Sequence, residues 1–225
     1  GDTLTGAPID TTSVKPKTYR TQRRQFAEAI LSRAVFVLEG QTEMVAVHAV
    51  SSALEQFRDD YMHVDLTGVT LFNAGNDRGV PGYAPMFKAL GKRVYGMRDK
   101  LNASDAGDAT ENIKSFDGFW ESPEKGIEKI LVKQVPTHVL RSFLDAVVQR
   151  DDYPPNYRYV SEQVADDELS TLVENVLKVR KGDGYGFGYA GMLIEQCQTE
   201  ADLPVFIRDA LLTINEQLQD EPELA

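Results

Sequence analysis

The chain has 225 residues, of which 42% are hydrophobic and 26% are charged, so it is long enough to bury a sizeable core and lacks the composition of a disordered protein. Its formal net charge of −11 argues against a generic basic nucleic-acid binder, although a local basic surface is compatible with that total. No apolar run approaches the ~20 residues of a membrane span, and the single cysteine, Cys197, cannot form an internal disulfide, so we expect a cytoplasmic protein with no membrane partner.

Strands and helices alternate through the first 100 residues. Residues 1–16 are rich in Gly, Thr and Pro, which predicts a flexible lead-in. The periodicity that follows predicts helices over residues 19–32, 44–57 and 81–90 and strands over residues 34–38, 69–72 and 93–97. The first strand is apolar at every position, which is typical of a strand buried on both faces. This alternation favours a parallel α/β sheet.

The pattern changes after Asp99. Residues 115–120 predict a fourth strand, and Ser122-Pro123-Glu124 has the residue types of a helix start. From Thr137 onward only helical periodicity is present. The predicted fold class is therefore α/β, a parallel sheet flanked by helices, with an additional helical portion. The predicted divisions are the lead-in at 1–16, a core at 17–135 and a helical portion at 136–225 that packs on the core.

Acidic residues follow two of the predicted strands. Glu39 comes directly after the first strand, Glu43 lies about one helical turn later, and Asp99 follows the third strand. Because the carboxyl ends of parallel strands meet at one edge of a sheet, these carboxylates are expected to share a crevice. Their repulsion would be costly unless cations neutralise it, and carboxylate oxygens suit Mg²⁺ or Mn²⁺. The alternative from spacing alone is that Glu43 complements a helix N-terminus and Asp99 is a solvated loop residue.

The residues around Glu39 resemble a known family. Val35-Phe-Val-Leu-Glu39-Gly40-Gln-Thr-Glu43 is similar to the first motif of a Toprim domain, the fold shared by topoisomerases, primases and several nucleases. The flanking runs that begin at Phe26, Val64 and Ala89 resemble the same region of OLD-family nucleases (overcoming lysogenisation defect). The resemblance covers residues 20–135 and implies a Toprim-like core.

What the resemblance implies is a metal-dependent DNA endonuclease that hydrolyses phosphodiester bonds with two Mg²⁺ or Mn²⁺ ions. The implied metal ligands are Glu39, Glu43, Asp99 and Glu128, and the implied catalytic residues are Glu39 and Lys181. Lys181 would stabilise the charge that develops on the phosphate, unless it is only the last lysine of a helix before a glycine stop. The sequence departs from the Toprim Asp-x-Asp motif, because Leu101 stands in place of the second Asp. Glu124 and Asp65 are further candidates for a replacement ligand.

Basic residues cluster between positions 78 and 100, where the local net charge is +5. The residues predicted to contact DNA are Arg78, Lys92, Arg93, Arg98 and Lys100. A basic collar around an acidic metal site would bind phosphates while the carboxylates hold the cations. The alternative is a solvated helix and loop surface without a ligand.

The three histidines show no metal-binding spacing. His48, His63 and His138 are scattered along the chain and lack the intervals of a Cys/His metal motif. We therefore predict that His48, on the helix that follows Glu39, packs against a neighbour or lies on the surface.

Two functions of different classes remain open at this point. The first is the endonuclease, whose expected partners are DNA, an ATPase domain that precedes this region in the full-length protein, and a second copy of the chain joined through regions outside it. The second is a non-catalytic Toprim module for DNA binding and assembly, of the kind found in recombination mediators. Leu101 favours the second function, whereas Glu39, Glu43 and the OLD-like flanks favour the first.

Overall fold

The computed structural model of the chain describes residues 22–76, 79–100, 109–161, 163–181 and 188–219. Its elements are α1 (Arg23–Leu31), β1 (Ala34–Leu38), α2 (Gln41–Phe57), β2 (Val69–Asn73), α3 (Val80–Ala89), β3 (Arg93–Arg98), α4 (Ala109–Ile113), β4 (Gly118–Glu121), α5 (Ile127–Gln134), α6 (Thr137–Val147), α7 (Asp166–Val179), α8 (Gly188–Ile194), a 3-10 turn (Glu200–Asp202) and α9 (Val205–Gln219). The predicted lead-in at 1–16, together with Arg78 and Leu101, lies outside the described residues.

The four strands form one sheet in the order β2-β1-β3-β4, and every neighbouring pair is parallel. Each connection between strands carries a helix, as parallel neighbours require, because the chain must return to the same end of the sheet. The predicted α/β fold class, a parallel sheet flanked by helices, is confirmed. Four of the predicted strands and helices both begin and end within one residue of their predicted bounds, because strong apolar patterns mark them.

Strand β1 lies inside the sheet, between β2 and β3, and is buried along its whole length. Ala34, Phe36 and Leu38 belong to an apolar cluster that also contains α2 and helices α5 to α9. Val35 and Val37 point to the other face, where α1 and α3 cover the sheet. A strand with helices on both faces has no solvent-exposed side, which explains its uninterrupted apolar sequence.

The helices after residue 135 share their core with the sheet. Phe143 of α6, Val173 of α7 and Leu211 of α9 are buried in the same apolar cluster as Phe36 of β1. A hydrogen bond also joins α9 to the segment between α2 and β2, because Nδ2 of the buried Asn215 donates to the Met62 carbonyl at 2.7 Å. The predicted division at residues 135 and 136 stays a prediction.

One predicted helix start is wrong. Helix α5 begins at Ile127, after Gly126 with φ of 89°, and not at Ser122. The Ser122 hydroxyl accepts the Glu124 N–H at 2.9 Å and donates to the Glu124 carbonyl at 2.7 Å. Serine side chains bond to nearby backbone in turns as well as in caps, so the same residue types close a turn here.

Within the part of the chain that the structure describes, every helix is too short or too polar to cross a membrane.

Candidate metal centre

After β1, the chain forms β2 on one side of β1 and then β3 on its other side. The strand order therefore reverses direction between β1 and β3. Glu39 follows the last residue of β1, and Asp99 follows the last residue of β3. The Asp99 N–H donates to Glu39 Oε2 at 3.3 Å. Ligands of open parallel sheets bind at this kind of switch point. The two residues therefore lie side by side at the carboxyl edge, as the sequence predicted.

Glu43 lies in the first turn of α2 and is only 9% exposed. Burial raises the pKa of its carboxyl to about 7, and although a bond to its own backbone N–H opposes the shift, the charges of Glu39, Asp99 and Glu128 add to it. The four predicted ligands are thus close enough to repel one another. We call this group, Glu39, Glu43, Asp99 and Glu128, the carboxylate cluster.

Glu128 enters the carboxylate cluster from the first turn of α5 and is 1% exposed. Lys181 lies two residues beyond α7, and its ammonium is 2.7 Å from Glu128 Oε1. Partial burial lowers the pKa of Lys181, but the direct contact of the ammonium with Glu128 and the charges of Glu128, Glu43 and Asp99 outweigh this effect, and the net shift is upward. Lys181 therefore stays protonated and partly balances the cluster.

A loop from β4 to α5 fixes the position of Asp99. The Gly126 N–H donates to Asp99 Oδ2 at 2.6 Å, and the Lys100 N–H donates to the Glu124 carbonyl at 3.3 Å. Hydrogen bonds from backbone N–H groups favour the ionised form of a carboxylate and restrict its orientation. Gly126 is a site residue that the sequence analysis missed, and its only signal was its place just before Ile127-Glu128.

Two glycines lie against the carboxylates. A Cβ at Gly40 would lie 3.0 Å from Glu43 Oε2, and a Cβ at Gly126 would lie 2.9 Å from Glu128 Oε2. Real Cβ contacts are rarely this short, so a larger residue at either position would push the carboxylate away. The absence of a side chain at both positions leaves room for the buried acids.

Replacing Gly126 with alanine is expected to destabilise the protein by about 1–3 kcal/mol, because a positive φ is unfavourable with a Cβ and the new methyl group meets Glu128. Gly91→Ala is the matched control, since Gly91 has φ of 71° but open space around its Cβ. Urea unfolding of both variants separates the two effects. A loss in Gly126→Ala no larger than that in Gly91→Ala would show that the contact with Glu128 does not matter.

The basic collar predicted around the cluster does not form as expected. Lys92 and Arg93 lie at the amino end of β3, about 20 Å from Asp99 by the rise of the strand, and Lys92 Nζ donates to the Ser32 carbonyl at 2.6 Å. Lys100 is exposed beside Asp99. Arg78 is outside the described residues, so its contact with DNA stays a prediction.

Arg98 also departs from the predicted collar. It is 5% exposed, and its Nε and Nη2 donate to Glu121 Oε2 at 2.9 and 2.6 Å. The guanidinium carbon lies 5.3 Å from the centre of the Phe119 ring. A buried, paired guanidinium is not accessible to a phosphate group, so Arg98 joins β3 to β4 instead.

The two further ligand candidates lie elsewhere. Glu124 forms an ion pair with Lys133, which is the main reason that its pKa is lowered. Asp65, in the segment before β2, contacts His48 and His63. His48 is partly exposed, as predicted for a surface histidine, but its proximity to a second histidine and a carboxylate was not foreseen.

The comparison with solved structures gives similar chains. Two structures of the C-terminal region of the OLD protein from Xanthomonas campestris pv. campestris, phased with platinum and with mercury, are similar to this chain. For the first, the TM-score is 0.50 and the identity 19%, over 85% of this chain and 96% of that one. The chain has the fold of an OLD C-terminal region. For the second structure, the TM-score is 0.49 and the identity 18%, over 84% of this chain and 97% of that one.

The OLD-type fold confirms the resemblance predicted from the sequence motifs, at the level of architecture. The comparison with protein-family models gives no match, and the comparison with curated protein sequences gives none either. At 19% identity the likeness concerns the fold alone, so any activity rests on the residues of this chain.

Proposed function

We propose that the chain is a metal-dependent DNA endonuclease that hydrolyses phosphodiester bonds with two Mg²⁺ or Mn²⁺ ions. The observation that carries the proposal is the carboxylate cluster at the switch point of the sheet, in which Glu43 and Glu128 are buried. Burial of several like charges is unfavourable unless positive groups compensate for them. Divalent cations are the compensating groups that leave such a site able to act on phosphate.

The donor set fits hard divalent cations. The cluster offers carboxylate oxygens, which are the protein ligands that Mg²⁺ and Mn²⁺ prefer. Among the described residues, the buried Glu128 Oε1 meets no hydrogen-bond donor in good geometry, and its close neighbour is the Lys181 ammonium. When bound, the cations would neutralise the attacked phosphate and favour ionisation of the attacking water. Glu128 would supply the carboxylate that Leu101 does not.

Lys181 supports the same function through its charge. Its side chain is 58% exposed although its ammonium contacts the buried Glu128, so it connects the cluster to solvent. When cations neutralise Glu128, the ammonium becomes available to a phosphodiester at the mouth of the site. There it would stabilise the negative charge that increases in the transition state.

DNA is the proposed substrate because the residues from Val35 to Glu43 resemble the first motif of Toprim nucleases. Lys100, exposed next to Asp99, is the proposed phosphate contact at the edge of the cluster, and Arg78 is a second. An ATPase domain that precedes this region in the full-length protein and a second copy of the chain remain proposed partners.

A non-catalytic DNA-binding and assembly module is the second candidate function. Leu101 favours it, because the second acid of the Asp-x-Asp motif is absent from the sequence. The buried Glu43 and Glu128 favour the endonuclease, since a site that only binds DNA does not need buried carboxylates that repel phosphate.

Cleavage of supercoiled plasmid separates the two functions. We expect nicked or linear product with Mg²⁺ or Mn²⁺ and none with EDTA. Glu124→Gln is the matched control and is expected to keep full activity, since Glu124 pairs with Lys133 outside the cluster. Retarded migration of the plasmid without cutting, at every metal concentration, would contradict the endonuclease and support the assembly module.

A further inference from the structure

A second group of metal-ligating side chains lies outside the carboxylate cluster. His48 of α2 and Asp65, in the segment between α2 and β2, meet with 3.0 Å between His48 Nε2 and Asp65 Oδ2. The same Oδ2 is 3.7 Å from Nδ1 of His63. One ligand atom from each of the three residues lies within 4.8 Å of the others.

The two distances from Asp65 Oδ2 are close to the spacing of ligands around a tetrahedral ion. With metal–ligand bonds of about 2.0–2.1 Å, two tetrahedral ligands are about 3.4 Å apart. The two observed separations from Asp65 Oδ2, 3.0 and 3.7 Å, lie on either side of that value. A small shift of the exposed Asp65 and His48 side chains would place both nitrogens and the carboxylate oxygen on one ion.

The surroundings provide the support that metal-binding histidines usually have. Nε2 of His63 is 3.2 Å from the Ser52 hydroxyl, so the nitrogen that would not bind metal has a partner that fixes the ring. His63 is buried, whereas His48 and Asp65 are half exposed, so an ion has access from solvent. A competing contact is present, because His63 Nδ1 accepts the Asp65 N–H at 3.2 Å, and an ion would replace it.

We propose that His48, His63 and Asp65 form a binding site for a borderline divalent ion of the Zn²⁺ class, with water in the fourth position. Two imidazoles and one carboxylate are typical Zn²⁺ ligands, whereas the carboxylate cluster offers oxygen only. The ion would fasten the segment before β2 to the middle of α2. The site does not depend on DNA cleavage, because none of its residues belongs to the carboxylate cluster.

Titration with Zn²⁺, and with Co²⁺ as a spectroscopic probe, tests the site in the full chain. The variant Glu39→Gln, Asp99→Asn serves as the background, so that ions bound by the carboxylate cluster do not contribute. We expect one Zn²⁺ per chain and a tetrahedral Co²⁺ absorption spectrum. His48→Asn and Asp65→Asn, each at a half-exposed position, should weaken Zn²⁺ binding about tenfold or more and remove that spectrum.

His138→Asn is the control, because His138 lies beside Asp202 and not in the proposed site. Its Zn²⁺ affinity should equal that of the background variant. Unchanged Zn²⁺ affinity in both His48→Asn and Asp65→Asn would overturn the proposal, as would an octahedral Co²⁺ spectrum in the background variant. Plasmid cleavage is read separately, so failure of the Zn²⁺ site and failure of the endonuclease are distinguishable.

Discussion

Replacing Glu39 with glutamine is expected to lower the rate of Mg²⁺-dependent plasmid cleavage by at least about 100-fold while the protein remains folded. Glu39 follows the buried strand β1, and its Oε2 accepts the Asp99 N–H at 3.3 Å. Glutamine keeps a carbonyl oxygen that accepts the same hydrogen bond but lacks the negative charge. A loss of cleavage therefore reports the charge of Glu39 and not its contact with Asp99.

The comparison requires three measurements on the same preparations. Initial rates of plasmid nicking give the activity, calorimetric titration with Mn²⁺ gives the cation affinity, and thermal unfolding in EDTA tests the fold. Cation affinity should fall together with activity, and the unfolding temperature should not fall, because one repelling charge has been removed from the cluster. Cleavage at the wild-type rate in Glu39→Gln would contradict the assignment of Glu39 as a metal ligand.

The approach of Glu39 to Asp99 could be predicted because it depends on topology alone. The apolar runs at β1 and β3 identify buried parallel strands, and the residue after each strand must lie at the same edge of the sheet. Glu128 could not be placed this way. Its position depends on where α5 begins, and the helix signal at Ser122 pointed to a start five residues too early.

The basic residues show where counting charges along a sequence fails. The interval from Lys92 to Lys100 spans the full length of β3. Its charges are therefore divided between the amino and carboxyl ends of the strand and do not form one patch. Burial of Arg98 requires the aromatic ring of Phe119 and the carboxylate of Glu121, which a neighbouring strand supplies. No local pattern around residue 98 reveals that partner.

The histidines illustrate the same limit for metal sites. His48 and His63 are 15 residues apart, and neither has a closely spaced Cys or His beside it in the sequence. Even so, α2 and the segment that follows it bring the two rings to 4.8 Å between centres. Sequence intervals identify metal sites whose ligands share one turn or hairpin. Sites built from a helix and a later loop depend on packing, and they become visible only in three dimensions.

Replacing Glu43 with glutamine is expected to stabilise the cation-free protein by about 3 kcal/mol at pH 8 and to have little effect below pH 4.5. The carboxyl has a pKa of about 7 in the folded protein against an ordinary value of 4.5, so between these values the folded state binds more protons than the unfolded state. The stabilisation that the Glu43 carboxyl gives the folded state is therefore fully present below pH 4.5 and is lost as the pH rises through 7. Glutamine does not ionise, so the variant escapes that loss.

Urea unfolding in EDTA at several pH values gives the difference in the free energy of unfolding between wild type and Glu43→Gln. Glu55→Gln is the matched control, because Glu55 lies on the exposed face of the same helix. The difference should grow with pH for Glu43→Gln and stay flat for Glu55→Gln. Excess Mg²⁺ at pH 8 should reduce the difference between wild type and Glu43→Gln, since binding of the ion stabilises the folded wild type and requires ionised Glu43. A difference of equal size at pH 5 and pH 8 would show that Glu43 is already ionised at low pH, and the cluster would then need no cation to hold its charge.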